Sequence, residues 1–350
     1  MSIHRCLLLL VGLTFWPLDA AAQPTSERQG DAVPRDVREL YERGLQFLAT
    51  TQTENGDWAG GGYDNGPGVT GLGLMAFLAS GEDPNYGIYS LNIKRCLRNI
   101  ISNQNSSTGY LGNSMYHHGF GMLGLAEAYG AVDDRQLWAD QKAGRQRSIG
   151  VALELAVRAA VTSQKKNPTG AWRYSPDSSD ADTSVSGAVL VGLLAARNAG
   201  IEVPDEAIDK AVSYFSKMTA PSGQVAYSGG LGGFDESMAR ISIGSLVFAI
   251  ARRKDLAQYK ATLGYLVKKL EDSGNSGHGG VEYQRYYQAQ ALFQGDVSAW
   301  ERWNKLLVRQ LKLTQQTNGS FQGTYGPSLS TSMALLALAL NYRFLPIYER

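Results

Sequence analysis

Two kinds of apolar pattern alternate along the chain. Residues 37–50 carry apolar side chains three to four positions apart, which places them on one face of a helix and leaves the other face polar. Residues 69–80, VTGLGLMAFLAS, are apolar or small all round, which is typical of a helix that is covered on every side. A glycine-rich turn separates the two segments. The pattern therefore predicts an outer, half-exposed helix followed by an inner, covered one.

The same pair of patterns recurs through the rest of the chain. The predicted outer helices cover residues 95–103, 153–164, 208–218, 259–271 and 303–313, and the predicted inner helices cover residues 117–130, 182–200, 237–251, 282–293 and 330–342. Repeats spaced roughly 40–60 residues apart indicate a solenoid or a closed ring. Because the inner helices are covered and no end repeat is distinctly polar, we expect closure. The sequence thus predicts one all-α domain, residues 37–350, with six inner helices inside six outer ones.

The turn of the first pair carries a specific motif. Residues 43–58 read RGLQFLATTQTENGDW, with Gln52 at the end of the outer helix and a Gly-x-Trp ending at Trp58. Weaker copies end in GAW at residues 170–172 and GSF at residues 319–321. This motif resembles the Gln–Trp repeat of the squalene cyclases and protein prenyltransferases. The resemblance implies an (α/α)6 toroid whose inner helices open onto a central cavity at one end. We expect the glycine to permit the tight turn and the aromatic residue to pack between neighbouring outer helices.

Two aspartates precede the third inner helix. Squalene-type cyclases protonate an alkene from an Asp-x-Asp-Asp cluster, and the similar segment here is DADT, residues 180–183. The resemblance implies Asp182 as general acid, assisted by Asp180, if both face the cavity and share a proton. A structural alternative is that Asp182 caps the helix and that Asp180 is a loop carboxylate, and capping by itself explains this sequence.

Aromatic and imidazole side chains concentrate in the turns and at the starts of the inner helices. If those ends converge, as the resemblance implies, the side chains line a pocket for an apolar or planar ligand. The alternative is that they only seal the mouth of the barrel. Adjacent helical residues point about 100° apart, so of His117 and His118 we expect one to face the cavity and the other to hydrogen-bond a loop. The candidate ligand-binding residues are Tyr63, His117, His118, Trp172, Tyr174, Tyr227, Tyr286 and Tyr325.

Other chemistries of toroidal proteins have less support in the sequence. Prenyltransferase chemistry needs zinc held by Asp, Cys and His; Cys96 lies on a predicted outer helix, and only Asp182 and His278 are conceivable ligands. We therefore expect neither a metal nor a cofactor. The Cys-Gly-Glu-Gln motif of thioester-containing toroids is absent. A toroidal polysaccharide-acting enzyme stays open, and the residues that would supply general bases or sugar contacts are Tyr63, Asp64, Asn65, His117, His118, Glu236, Arg240 and Glu282.

The amino-terminal segment predicts export. Residues 1–22 combine a basic start, an apolar run too short to span a membrane and a small-residue cleavage site, and residues 23–36 read as a flexible leader. We therefore expect a periplasmic or secreted protein with no transmembrane segment. The net charge of +1 argues against a nucleic-acid partner.

These observations favour a binding role over retained catalysis. The expected partner is an apolar, isoprenoid-like small molecule or a protein at the mouth of the toroid, because the catalytic signatures of the resembling families are incomplete. The alternatives are a divergent terpenoid cyclase with Asp182 as general acid, and a polysaccharide-acting enzyme.

Overall fold

Paired helices follow one another along the computed structural model, which describes residues 33–60, 63–139, 146–229, 236–270 and 280–348. Each pair is an outer helix followed by an inner one, and a short helix that the sequence did not predict, α5, lies between the second and third pairs. The helices are α1 (Arg35–Thr51), α2 (Pro67–Leu78), α3 (Ser90–Asn103), α4 (Met115–Ala128), α5 (Asp134–Leu137), α6 (Ile149–Lys166), α7 (Thr183–Asn198), α8 (Asp205–Lys217), α9 (Met238–Ile250), α10 (Ala257–Lys268), α11 (Gly280–Gly295), α12 (Val297–Thr314) and α13 (Pro327–Ala339).

The inner helices form a closed ring. In order around the ring they are α2, α4, α7, α9, α11 and α13, and α13 returns to contact α2. The outer helix α1 also contacts α12 and α13, so the first and last repeats meet on both layers. The predicted all-α (α/α)6 toroid is confirmed.

Burial follows the two sequence patterns. In α1 one face is buried, at positions three to four residues apart that include Val37, Leu40 and Leu48. In α13 every residue after Pro327 is buried, as is every residue of α2 after Pro67. The half-exposed outer layer and the covered inner layer therefore agree with the prediction.

The motif glutamine joins neighbouring outer helices. The Nε2 group of Gln164 donates to the carbonyl of Gly170 in its own turn, at 2.7 Å, and to the carbonyl of Ala207 in α8, at 2.8 Å. Gln52, Gln104 and Gln315 make the same two kinds of bond. Each glutamine thus holds its turn against the next repeat.

The turn glycine is needed for close approach as well as for its backbone conformation. Gly56 has a φ of 89°, and a Cβ there would overlap the Arg95 carbonyl of α3. Residues other than glycine are strained at positive φ. The glycine therefore lets the turn touch the neighbouring outer helix.

The motif aromatic residue does not have the position that the sequence suggested. Trp58 Nε1 donates to the Leu48 carbonyl of its own outer helix at 3.1 Å, and its ring packs at Gly73 of its own inner helix. Trp172 makes the equivalent bond to the Ala160 carbonyl at 2.9 Å. The aromatic residue therefore connects the two helices of one repeat, and the glutamine connects neighbouring outer helices.

One end of the barrel is covered by the end of the described chain. Leu345 and Ile347 are buried, the 3-10 turn Pro346–Tyr348 contacts α7, and the Ile347 N–H donates to Glu127 near the carboxyl end of α4. This leaves the amino-terminal ends of the inner helices as the open end.

The beginning of the ordered unit differs slightly from the prediction. The first helix starts at Arg35 and Val33 is already buried, whereas the flexible leader was expected to reach residue 36. The predicted signal peptide, residues 1–22, lies outside the described residues. No helix in the described part of the chain is long and apolar enough to cross a membrane.

Candidate functional site

A cavity of about 580 Å³ opens at the amino-terminal ends of the inner helices. We call it the cup. All six inner helices contribute to it, so their ends converge as the family resemblance implied. The residues that line it are Tyr63, Gly68, Val69, Leu72, Ser114, Tyr116, His117, Phe120, Tyr174, Ser184, Tyr227, Ser237, Ala239, Arg240, Tyr283, Tyr325, Leu329 and Met333.

Backbone bonds between repeats place the tyrosines at the mouth of the cup. The Met115 N–H at the start of α4 donates to the Tyr174 carbonyl at 2.8 Å, and the Thr183 N–H at the start of α7 donates to the Tyr227 carbonyl at 2.9 Å. In both cases a backbone N–H group at the start of an inner helix is hydrogen-bonded to the turn of the following repeat. These bonds hold Tyr174 and Tyr227 over the cavity. The hydroxyl groups of Tyr174 and Tyr227 lie 2.9 Å apart.

The other side of the mouth lies at the seam, where the first and last repeats meet to close the ring. Tyr63 of the first repeat meets Tyr325 of the last repeat edge to face, with ring centroids 5.6 Å apart. Tyr63 is 69% exposed, so its ring is available to a molecule at the entrance.

Aromatic rings close the cup from below. Helices α4 and α11 stand opposite each other in the ring, and the Tyr116 and Tyr283 hydroxyl groups meet between them at 3.3 Å. Beneath this pair, Phe120 packs on Tyr286 with centroids 6.1 Å apart, and Tyr286 packs on Tyr287 at 4.8 Å. Burial raises the pKa of Tyr116 and of Tyr283 well above the usual value, so both are neutral phenols. The cavity is open at the mouth and closed at the floor.

Five of the predicted ligand-binding residues line the cup and three do not. Those in the lining are Tyr63, His117, Tyr174, Tyr227 and Tyr325. Trp172 is buried between the helices of its own repeat, where its indole bonds Ala160. Tyr286 lies under the floor against Phe120. The third exception is His118.

The two adjacent histidines are divided as the helix geometry predicted. His118 is fully buried; its Nδ1 accepts from the Leu111 N–H at 3.1 Å, and its Nε2 lies 3.0 Å from the Ala156 carbonyl. Because burial lowers the pKa of His118 to about 4, the ring is neutral and structural. His117 lines the cup, and its Nδ1 accepts from the Gly68 N–H at 3.2 Å. Burial lowers the pKa of His117 too, so we assign its proton to Nε2.

Asp182 is the cap of α7. Its Oδ1 accepts from the Val185 N–H at 2.8 Å, and the side chain is fully buried. Its Oδ2 lies 3.4 Å from Arg173 Nε and makes no hydrogen bond. Burial raises the pKa of Asp182 to about 6, although the Val185 N–H and the Arg173 charge both favour the carboxylate. The capping interpretation is confirmed, and Asp182 does not line the cup.

Asp180 and Asp182 do not form a pair that shares a proton. The Asp180 side chain is 66% exposed and binds Arg173 Nη1 at 2.8 Å. Arg173 therefore stands against both carboxylates and favours their ionised forms, which opposes the sharing of a proton. This role of Arg173 was not predicted from the sequence.

The other acidic candidates accept hydrogen bonds from protein groups and do not line the cup. Asp64 accepts from the Leu329 N–H at 2.6 Å and the Ser328 N–H at 3.1 Å, which caps α13. Glu282 accepts from the Thr324 N–H at 2.6 Å. Glu236 accepts from the hydroxyl group of Tyr265 at 2.5 Å. Among the described lining residues there is no carboxylate.

Arg240 carries the one formal charge among the described lining residues. Only 4% of the residue is exposed, its Nε donates to the Val225 carbonyl at 3.0 Å, and its guanidinium lies 6.0 Å from the centre of the Tyr227 ring.

The sequence analysis missed Tyr116 and Phe120 as lining residues. Two aromatic residues four positions apart on a predicted inner helix lie on the same face, which could have identified them. In the described part of the chain, no three His, Cys, Asp or Glu side chains lie together as a metal site would require.

Comparison with known proteins supports the fold. No protein-family model and no curated protein matches the chain. Among solved structures, a variant of the type II terpene cyclase MstE from Scytonema, in complex with geranylgeranyl dihydroxybenzoate, matches with a TM-score of 0.62 and 14% identity over 89% of this chain and 98% of that one. The alpha-1,6-mannanase GH76A of Salegentibacter sp. HEL1_6 matches with a TM-score of 0.62 and 12% identity over 87% and 99%. At such identities the likeness establishes a shared toroidal fold and nothing about activity.

Proposed function

We propose that the protein binds an apolar, isoprenoid-like small molecule in the cup. The observation that carries this proposal is a cavity of about 580 Å³ with a closed aromatic floor, one aliphatic wall and no carboxylate among its described lining residues. Concave, mostly apolar cavities of about 300–1,000 Å³ are typical small-molecule sites. A protein partner would engage the exposed mouth tyrosines instead, and the experiment below separates the two.

Stabilisation would come from removing water from apolar surface. Val69 and Leu72 of α2 and Leu329 and Met333 of α13 form a continuous aliphatic wall. The phenol rings of the floor offer π-faces to an unsaturated or planar ligand. A ligand that fills the cup exchanges water on these surfaces for close contact.

A specific observation at Asp182 favours terpenoid cyclisation as a second candidate. The residue is buried, its pKa is raised to about 6, and its Oδ2 makes no hydrogen bond. Since Oδ1 is fixed by the Val185 N–H, Oδ2 is the atom that would carry a transferable proton. Protonating an alkene in the cup requires that this proton reach the ligand, although Asp182 itself lies outside the lining.

A polysaccharide-acting enzyme is the third candidate. The structural similarity to the mannanase supports a shared toroidal fold and no more. Glycoside hydrolysis usually employs a pair of carboxylates, and the described lining residues include none. Export to the periplasm or beyond, proposed from residues 1–22, is compatible with all three functions.

The binding proposal is tested by extraction. Protein purified after expression with its complete leader is extracted with solvent and analysed by mass spectrometry, beside Ala239→Trp, which fills the cup, and Ala257→Trp, which is exposed at the start of α10. We expect an apolar molecule from the wild type and from A257W, and its loss from A239W, because only Ala239 lines the cavity.

Two outcomes would redirect the proposal. If nothing apolar is extracted and farnesol does not bind the purified protein, binding of an apolar ligand is refuted, and the mouth becomes a candidate protein site. If the extracted molecule is converted to a cyclic product by the wild type and not by Asp182→Ala, the cyclase candidate replaces simple binding.

A further inference from the structure

His117 presents a hydrogen-bond donor to the cup. Its Nδ1 accepts from the Gly68 N–H at 3.2 Å, and a backbone N–H can only donate, so Nδ1 carries no proton. The single proton of the neutral ring therefore lies on Nε2. The residue is half-buried and lines the cavity, and within the described ranges nothing hydrogen-bonds Nε2. The cup thus contains a neutral N–H group that is open to a ligand.

Two glycines of the neighbouring repeat fix the position of this ring. A Cβ at Gly68 would lie 3.0 Å from the His117 Nδ1, and a Cβ at Gly66 would lie 3.0 Å from its Cε1. Because neither residue has a side chain, the imidazole packs directly against the start of α2. Turning the ring over would break the bond to the Gly68 N–H. The Nε2 donor therefore has one fixed place between α2 and α4.

Other polar groups of the lining have partners within the protein. The hydroxyl groups of Tyr174 and Tyr227 lie 2.9 Å apart, and those of Tyr116 and Tyr283 lie 3.3 Å apart. The His117 Nε2 differs from these groups, because its partner has to come from the contents of the cavity.

A purely hydrocarbon ligand would leave this donor without a partner. A donor that is open to solvent bonds to water, and an apolar ligand that displaces the water offers no acceptor in exchange. A buried donor without an acceptor is destabilising. A hydroxyl or carbonyl oxygen on the ligand restores the bond. The neutral ring has no charge to offset the desolvation of an anion, so His117 favours an uncharged oxygen.

We propose that the ligand of the cup carries an uncharged hydroxyl or carbonyl oxygen that accepts a hydrogen bond from His117 Nε2, with its apolar part along the aliphatic wall of α2 and α13. This inference rests on the proposed binding function and specifies its ligand class. Burial of the apolar part supplies affinity, and His117 selects oxygenated ligands over hydrocarbons of the same shape.

The test compares three ligands that share one tail. They are farnesol, farnesal and the hydrocarbon with a methyl group in place of farnesol's hydroxymethyl group. Farnesol accepts and donates hydrogen bonds, farnesal only accepts, and the hydrocarbon does neither. No lysine is among the described lining residues, so those residues offer the aldehyde no amine to react with. Calorimetry near neutral pH gives the affinities, and the affinity of each oxygenated ligand is divided by that of the hydrocarbon.

Variants show whether His117 supplies the contact. His117→Phe keeps a flat ring and removes the donor, and we expect both affinity ratios to fall about threefold to tenfold, as for the loss of one neutral hydrogen bond. His117→Gln has an amide N–H of similar reach and should recover part of the loss. Gln46→Phe is the matched control, because it places the same new side chain on the exposed face of α1 and should leave both ratios unchanged. Thermal melts followed by circular dichroism show which variants are folded.

Nuclear magnetic resonance of the isotope-labelled wild type gives a readout that needs no variant. We expect farnesol and farnesal to slow the exchange of the His117 Hε2 proton with water and to shift its resonance downfield, and the hydrocarbon to shift it upfield. His118 is the internal reference, because it is fully buried and its Nε2 already has the Ala156 carbonyl as partner.

The outcomes separate this inference from the proposed function. If all three ligands bind and His117→Phe changes their affinities by the same factor, the oxygen contact is wrong and the proposed binding function stands. If farnesol and farnesal bind without moving the His117 resonance, the assignment to His117 is wrong. If none of the three ligands binds, the proposed function fails and this inference fails with it.

Discussion

Asp182 is subject to two opposing influences on its ionisation. The Val185 N–H and Arg173 favour the carboxylate, whereas burial favours the neutral acid, and burial dominates because the pKa rises from 3.8 to about 6. A carboxyl group whose pKa is higher in the folded state stabilises that state most at low pH. This contribution is fully present below the unfolded pKa and is lost as the pH rises through about 6.

The effect is measurable with Asp182→Asn. The amide oxygen still accepts from Val185, and the titration is removed. We expect the free energy of unfolding of the wild type, relative to that of D182N, to rise by up to about 3 kcal/mol as the pH falls from about 7 to about 4. Urea denaturation at a series of pH values gives this difference. A difference that does not change with pH would show that the pKa of Asp182 is the same in the folded and unfolded protein. Asp209→Asn, at an exposed position on α8 away from Asp182, is the control.

His118 titrates in the same range with the opposite sign. Its pKa is lowered from 6.5 to about 4 by burial, so its contribution to stability is fully present above pH 6.5 and is lost as the pH falls toward 4. The pH dependence of the wild type alone therefore mixes the two residues. The comparison with D182N isolates Asp182, since His118 is the same in both proteins.

At the level of the helix pair, the glutamine of the turn is a recurring polar connection between neighbouring outer helices. Gln164 is buried, and its amide satisfies one carbonyl in its own turn and one in α8. A buried carbonyl that loses its partner is penalised by about 1–3 kcal/mol. The motif is therefore structural, and its position on the outer layer keeps it away from the cup.

Gln164→Ala is expected to lower the free energy of unfolding by about 2–4 kcal/mol, because two buried carbonyl groups lose their donor. Denaturant titration of the purified variant measures the loss. The matched control is Gln46→Ala, an exposed glutamine on α1, which should change stability by less than about 0.5 kcal/mol. Similar losses from the two substitutions would contradict the bridging role.

At the scale of the whole molecule, the ring depends on joining residues that are far apart in sequence. Asp64 caps α13 across 264 and 265 positions, and Gln315 donates to the Leu40 carbonyl of α1. The N-cap position of α13 is Gly326, which has no side chain to cap the helix, so the last inner helix takes its cap from the first repeat. The same seam brings Tyr63 beside Tyr325 at the mouth.

Asp64→Ala tests the closure. We expect a loss of about 2 kcal/mol, because two backbone N–H groups of α13 lose their acceptor in a buried site. Native-state hydrogen exchange should increase first in α13, α1 and α2, before α7 and α9. Asp64→Asn keeps an acceptor and should show a smaller effect. A uniform increase around the ring would mean that the seam is no weaker than the other interfaces.

The architecture could be predicted from the sequence alone. The alternation of amphipathic and wholly apolar segments predicted all the paired helices. Whether a helix is buried on one face or on every face is visible in its own residues, without knowledge of its neighbours. The Gln–Trp motif specified the turn, and the Asp-Thr-Ser start of the third inner helix indicated the N-cap that Asp182 forms. The short helix α5 was missed, since four residues carry too little periodicity to be recognised.

Which side chains face the cup could not be predicted from the sequence, because it depends on packing between repeats. His117 lines it and His118 does not, and Tyr116 forms the floor while Tyr286 lies beneath, because the rotation of each inner helix is set by packing against two neighbours from other repeats. The position of Arg240 opposite the aliphatic wall likewise depends on closure of the ring, whereas Arg173 meets Asp180 and Asp182 within a single turn. The spacing of apolar residues predicts that a residue is buried but does not predict which residues it contacts. Its partners across the barrel belong to repeats that are more than a hundred residues away, as Tyr116 and Tyr283 are, and only the closed ring brings them together.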